Sequence, residues 1–241
     1  MPINVGGNII TSTSVSNGKF VNNIIRDGLI CHLDSGNVNS YNGNGSVWYD
    51  LSSYGNNFNI IGSPSWTTVG GRTSFNLTAD GHYMQGNSMV GFPTTELTME
   101  IWFYPAANEI TSGDRGTLII ARDGSAAYMS ITKDTLKQSN YWYNHTPEGY
   151  HETTPAITRQ TWNHFCCVWD NTNVHQWTNG NYGKVFNVSG TSTSNSTWQI
   201  GRESSGRQFS GGISIVRIYN RALSGAEVLV NFNTLRNRFG I

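Results

Sequence analysis

The stretch ELTMEIWFYP, residues 96–105, alternates without a slip: Leu97, Met99, Ile101 and Phe103 fall on one side of an extended chain, and Thr98, Glu100, Trp102 and Tyr104 on the other. Successive side chains of a strand point to opposite faces, whereas a helix would scatter this set around its circumference, so the pattern demands a strand. Pro105 has no N–H to give to a ladder and is expected to end it. Similar short runs follow, GTLIIAR (116–122), AAYMSIT (126–132), WNHFCCVWD (162–170) and GGISIVRIY (211–219), divided by turn signals such as Asp123-Gly124 and Asn179-Gly180. The last two runs are apolar on both faces, as central strands are. Only NRALSGAEVLVNF, residues 220–232, reads clearly as a helix. Ser224 and Glu227 have capping-box spacing, and Val228, Leu229, Phe232 and Leu235 recur at helical intervals, which predicts a helix over 225–236. A chain of frequent, evenly spread strands closed by one short helix is an all-β sandwich.

At 241 residues the chain is large enough for one sizeable core, and no composition break from Asp27 onward marks a second domain. Residues 1–26 differ: they are polar, rich in Gly, Asn, Ser and Thr, and are expected to form an extended arm ahead of a folded unit spanning 27–241. Lys and Arg together number 15, as do Asp and Glu, so there is no basic excess to attract nucleic acid or anionic lipid. The first residues lack a basic start with an apolar core, and no apolar run is long enough to span a bilayer, so neither Sec export nor membrane insertion is expected. Cys31, Cys166 and Cys167 are an odd set with a vicinal pair, poor material for disulfides, and are expected to be reduced core thiols.

Four phrases occur in a telling order: DGLICHLDSGNVNSYNGNGSVWYDLSSYGNN (27–57), LTMEIWFYP, WNHFCCVWD followed by WTNGNYG, and IGRESSGRQFSGGISIVRIYNRALSGAEV (200–228). The set resembles concanavalin A-like lectin/glucanase domains of the laminin-G-like type over about residues 27–236. The Tyr-x-Gly-x-Gly spacer ahead of Trp48-Tyr49-Asp50-Leu51 most resembles versions found in structural proteins of tailed bacteriophages. The resemblance implies a jelly roll of two antiparallel sheets; it implies no single function.

Because the fold also carries glycoside hydrolases, catalytic carboxylates must be sought. Retaining enzymes need two about 5–5.5 Å apart. Glu96 and Glu100 share a strand face, yet four residues of strand hold them about 13 Å apart. They are expected to be structural, and no catalytic residue is assigned. No Gly-x-Ser-x-Gly elbow or phosphate loop is present, and the six histidines form no zinc pattern. Calcium is the one cofactor to weigh. Related domains hold it with an Asp in the turn after the Trp-Tyr pair and an acid in the strand before VRIYNRAL. Asp50 and Asn56 are the candidate ligands here, but Ser214 and Ile215 occupy the strand positions, and the simpler expectation is an Asx turn capped by Asp50.

For glycan, the candidates are Tyr141, Trp142, Tyr143 and Tyr150, whose rings could stack on sugar C–H faces, with Asn140 and Asn144 as hydrogen-bonding neighbours; the alternative is that these rings fill the core. The ion-poor composition, the phage-like phrases and the arm lead to the expectation of a non-enzymatic virion surface protein, made in the host cytoplasm as a capsid decoration or fibre-like subunit. Its expected partners are other virion proteins such as the major capsid protein and further copies of itself, with Val5, Ile9 and Ile10 of the arm as the apolar points of assembly. A lectin-like adhesion module binding a surface glycan is the alternative, and a glycoside hydrolase the third.

Overall fold

The computed structural model describes residues 3–5, 8–10, 15–16, 19–20, 24–110, 113–122, 127–142, 145–146, 149–152, 155–191, 197–203 and 207–241. Two antiparallel sheets stack face to face, and the strands that build them are, in chain order, β1 (Leu29–Asp34), β2 (Val47–Trp48), β3 (Phe58–Ile61), β4 (Ser65–Val69), β5 (Arg72–Leu77), β6 (Tyr83–Gly86), β7 (Leu97–Ile110), β8 (Arg115–Arg122), β9 (Ala127–Thr132), β10 (Gln138–Trp142), β11 (Tyr150–Glu152), β12 (Asn163–Trp169), β13 (Asn173–Thr178), β14 (Asn181–Asn187), β15 (Thr197–Ile200) and β16 (Phe209–Tyr219). Sheet I runs β11-β10-β9-β8-β15-β6-β3-β2. Sheet II runs β14-β13-β12-β7-β16-β5-β4, with β1 pairing farther along the edge of β16 that β5 uses. This is the expected two-sheet jelly-roll sandwich.

The core follows from the period-two patterning. Leu97, Met99, Ile101 and Phe103 of β7 enter the space between the sheets together with Phe165, Cys167 and Trp169 of β12 and with Met129 and Ile131 of β9. The opposite face of β7 does not meet solvent. A helix, α1 (Gly225–Phe239), lies over it and buries Trp102, Ile215, Phe232, Leu235 and Phe239 in a second apolar cluster, with Trp102 stacked 4.3 Å from Phe239 and 5.7 Å from Phe232. This explains why β12 and β16 are apolar on both faces: the sandwich covers one, and the helix with Ile24, Leu29 and Leu223 covers the other. Cys166 and Cys167 point to these two different faces, and all three cysteines are buried and free.

The helix starts where the capping box puts it: Ser224 Oγ accepts from Glu227 N, and the Glu227 carboxylate accepts from Ser224 N at 2.8 Å. Its far end is tied down by Arg238, which donates to both oxygens of Asp34 on β1 at 2.7 Å. Burial alone would raise the Asp34 carboxyl, but the paired Arg238 outweighs it and holds it down.

Three expectations are corrected. Pro105 does not end β7, which runs on to Ile110 along β16 through two register shifts; pairing with β12 stops at Phe103, so the proline sits where only one neighbour needs a ladder and its missing N–H is tolerated. Leu229 is 41% exposed and faces away from the sheet, while Val228, Phe232 and Leu235 are buried. Ile24 and Ile25, expected in the arm, pack against the body: Ile24 joins the cluster under α1, Ile25 N donates to Asn231, and Tyr219 donates to Ile25 O. Before them, Ile3–Val5 pairs with Asn8–Ile10, and Val15–Ser16 with Lys19–Phe20. No helix among the described residues is long and apolar enough to cross a membrane.

Candidate functional site

In β9, Ala127, Met129 and Ile131 point into the sandwich, so Tyr128, Ser130 and Thr132 face outward from sheet I. Ladder register then fixes the rest. Tyr128 lies opposite Tyr141, and Tyr141 opposite Tyr150, so three tyrosines form a row across β9, β10 and β11 on one face. Direct cross-strand neighbours are close enough for rings to meet. Tyr141 and Tyr150 have centroids 4.6 Å apart, and Tyr128 and Tyr150 6.0 Å. Tyr128 is buried, its hydroxyl 3.0 Å from Thr117 Oγ1; Tyr141 and Tyr150 are half-buried.

Two arginines enclose this row. The Arg115 guanidinium lies 3.6 Å over the Tyr150 ring, a cation–π contact, and Arg207 Nη1 donates to the Tyr150 hydroxyl at 2.8 Å. Three carboxylates surround the arginines. Asp114 bridges them, 3.4 Å from Arg115 and 3.2 Å from Arg207; Glu203 is 3.0 Å from Arg207, and Glu152 is 3.6 Å from Arg115. Burial, reinforced by Glu203, pushes the Tyr128 phenol up; burial also raises Tyr150 against the pull of Arg207. Both phenols therefore keep their protons near neutral pH and serve as hydrogen-bonding groups, not as nucleophiles. Burial alone would lower the Arg207 guanidinium, but Glu203 and the phenols more than compensate, so it stays charged.

Of the residues expected to hold glycan, Tyr141 and Tyr150 are thus brought together on an accessible face. Trp142 is not with them: one residue along the strand it turns inward, is 1% exposed, and packs 5.2 Å from Trp169 in the core. Asn140 turns inward too, donating to Tyr128 O at 3.2 Å. Tyr143 and Asn144 lie outside the described residues, as do the side chains of Val5, Ile9 and Ile10, whose backbone belongs to the short N-terminal pair. Arg115, Arg207 and the three carboxylates were missed. The alternation of Tyr150 and Glu152 in GYHE was a usable local signal; Arg207 arrives from a distant loop and had none.

The two glutamates of ELTMEIWFYP both have fixed hydrogen-bond partners. Glu96 accepts from Ala222 N at 3.0 Å. Glu100 is 1% exposed beneath α1. Arg217, its ladder partner on β16, donates to both its oxygens at 2.9 and 3.0 Å, Asn231 of α1 donates at 2.9 Å, and His164 Nε2 lies 3.1 Å away. Burial alone would raise the Glu100 carboxyl, but Arg217, His164 and Asn231 overcome that and bring it down to about 2. So held, Glu100 stays ionised beneath the helix.

At the Asp50–Asn56 turn, Asp50 Oδ1 accepts from His32 N (2.7 Å) and Ser52 N (2.8 Å), and Oδ2 accepts from Ser52 Oγ (2.5 Å) and Asn56 N (2.8 Å). The Asn56 amide donates to Ile30 O and Val90 O, and its oxygen accepts from Val90 N. Every lone-pair direction of the carboxylate already meets a donor, so the turn does not fit a calcium ion, which would have to displace them. Among the described residues no group of three or more His, Cys, Asp or Glu side chains is placed to hold a metal.

A family model described as the concanavalin A-like lectin/glucanases superfamily matches residues 77–229. No curated protein matches the sequence. Among solved structures, the binding domain of Paraclostridial Mosquitocidal Protein 1 is similar at 16% identity and a TM-score of 0.68, over 88% of this chain and 53% of that one. The binding domain of botulinum neurotoxin serotype D is similar at 13% identity and a TM-score of 0.67, over 87% and 51%; that of serotype G gives 14% and 0.64, over 85% and 50%. The chain thus spans about half the length of these structures, and at such identities the likeness concerns the fold.

Proposed function

The chain belongs to the concanavalin A-like lectin/glucanase superfamily, and from that premise we propose that it is a non-enzymatic, lectin-like binding module whose ligand is a glycan held at the Tyr141–Tyr150–Arg115–Arg207 face. The observation that carries this is the tyrosine row itself: the half-buried rings of Tyr141 and Tyr150 on an outward sheet face, with guanidinium, phenol and carboxylate groups converging around them. Sugars offer alternating hydroxyls and C–H faces, and rings bordered by fixed donors and acceptors match both. The non-enzymatic part is supported by Glu100, the acidic residue at the middle of sheet II, being buried and ion-paired beneath α1. Similar solved structures that are binding domains of toxins are compatible with such a role for the fold.

The setting we propose is the surface of a phage particle, where the segment ahead of Ile24 joins the module to other virion proteins. Support comes from the phage-like phrase at 27–57 and from a composition with only 12% charged residues. An array of immobilised oligosaccharides, probed with the whole protein, tests the binding role. Binding should appear for the intact protein and fall at least tenfold for Tyr141→Ala and Arg207→Ala; absence of binding, or binding indifferent to both changes, overturns it. Deleting residues 1–20 should leave glycan binding and folding intact while abolishing co-sedimentation with particles. Normal incorporation of the truncated chain would remove the virion attachment from the account.

A further inference from the structure

The tyrosine row answers one more question, the charge of its ligand, and this inference rests on the glycan reading above. Arginines beside aromatic rings ordinarily suggest a site for anions, since a guanidinium pairs with carboxylates in a two-pronged geometry. Here the Nε and Nη1 sides of both guanidinium groups are already engaged. Asp114 spans the pair through the two Nε atoms, Glu203 takes Arg207 Nη1, and Glu152 stands against Arg115 Nη1, which also donates to Ser139. Three carboxylates face two guanidinium groups. Lys133, whose backbone N–H donates to Asp114 O, and the adjacent Asp134 add one charge of each sign at the rim.

From this we infer that the site takes a neutral saccharide and discriminates against acidic ones. A ligand carboxylate would come up against three resident carboxylates with only two guanidinium groups between them, and to pair with a guanidinium through Nε and Nη1 it would have to expel Asp114 or Glu203 from an ion pair. The expelled carboxylate would then be left beside the incoming one. A neutral sugar meets no such obstacle. Its hydroxyls donate to free lone pairs of the resident carboxylates and accept from remaining guanidinium N–H groups. The Tyr150 hydroxyl, which accepts from Arg207, keeps its own proton for a ligand oxygen. The ion pairs thus act as a preorganised frame that fixes donors and acceptors in place before the ligand arrives, and such order lowers the entropic cost of binding.

The discriminating experiment titrates the whole protein with neutral gluco-oligosaccharides and with oligogalacturonates of equal length, at low and at raised ionic strength, for the unaltered chain and for Glu203→Gln and Asp114→Asn. The neutral series should bind with little salt dependence and at least tenfold more tightly than the acidic one. Each substitution frees guanidinium N–H groups, so both variants should shift that preference by about tenfold toward the acidic series. Acidic oligosaccharides bound as tightly as neutral ones by the unaltered chain would overturn the inference while leaving the glycan reading in place. The same holds if neither substitution moves the preference. If neither series binds, the glycan reading and the inference fall together.

Discussion

The Glu100–Arg217 pair offers the sharpest test of how α1 is held on sheet II. Both residues are fully buried, and Arg217 meets both oxygens of Glu100. Replacing Arg217 by Met strands a carboxylate under the helix with only Asn231 and His164 as partners. Removing one member of a buried pair costs ~3–5 kcal/mol, because the remaining charge stays desolvated. For a domain of this size each kcal/mol lowers the melting temperature by about 2–4 °C, so a drop of roughly 6–20 °C is expected. Glu100→Gln should cost a comparable amount by stranding Arg217. The double variant is the informative one: with both charges gone, most of the loss should be recovered, since buried ion pairs exchanged for neutral groups of similar volume are often near neutral in stability. The pH dependence has a fixed sign. A carboxyl lowered to about 2 contributes stability that is complete above its ordinary value near 4.5 and is lost as pH falls through about 2. That acid limb should be weaker in Glu100→Gln. Urea unfolding followed by tryptophan fluorescence at neutral and acid pH measures all of this. Single variants costing less than about 1 kcal/mol, or a double variant as unstable as the sum of the two, would refute the reasoning.

Trp142→Ala should cost ~3–5 kcal/mol in thermal unfolding as a core cavity, whereas Tyr141→Ala, one residue away on the outer face, should cost less than about 1 kcal/mol. Ser224→Ala removes the capping-box acceptor and should lower stability by about 1 kcal/mol in the same assay. Chelator should leave the melting temperature unchanged, while Asp50→Ala should lower it by the loss of a carboxylate that accepts four hydrogen bonds, ~2 kcal/mol in all; a chelator-induced drop that Asp50→Ala abolishes would put an ion in the turn.

The strands were legible because period two survives in the residues themselves: β7, β9, β12 and β16 lie where their alternation or their double apolarity puts them. The helix was legible from its cap. What alternation cannot tell is what covers the second face. Thr98, Glu100, Trp102 and Tyr104 form a polar and aromatic set, yet α1 and the turn before it arrive from more than a hundred residues away and bury the first three. A hint was present: MEIWF and IVRIY each carry one charge in the middle of an apolar run, and the ladder sets Glu100 directly opposite Arg217. The same limit divided YWY. Alternation requires Tyr141 and Trp142 to face opposite ways, so the pair could never have formed one binding surface, and only the sandwich decides which one is inside. Arg207 was beyond reach, since its approach to Tyr150 spans 57 residues and depends on a loop.

The central claim is that this fold holds a glycan without cleaving it, at the tyrosine row. Incubating the whole protein with a neutral oligosaccharide that it retains, and then weighing the bound and free sugar by mass spectrometry, tests it most directly. The account predicts that the ligand is recovered at its original length and that Tyr141→Ala retains none of it. Shortened products bearing new reducing ends, formed by the intact protein and lost in Glu100→Gln, would contradict it.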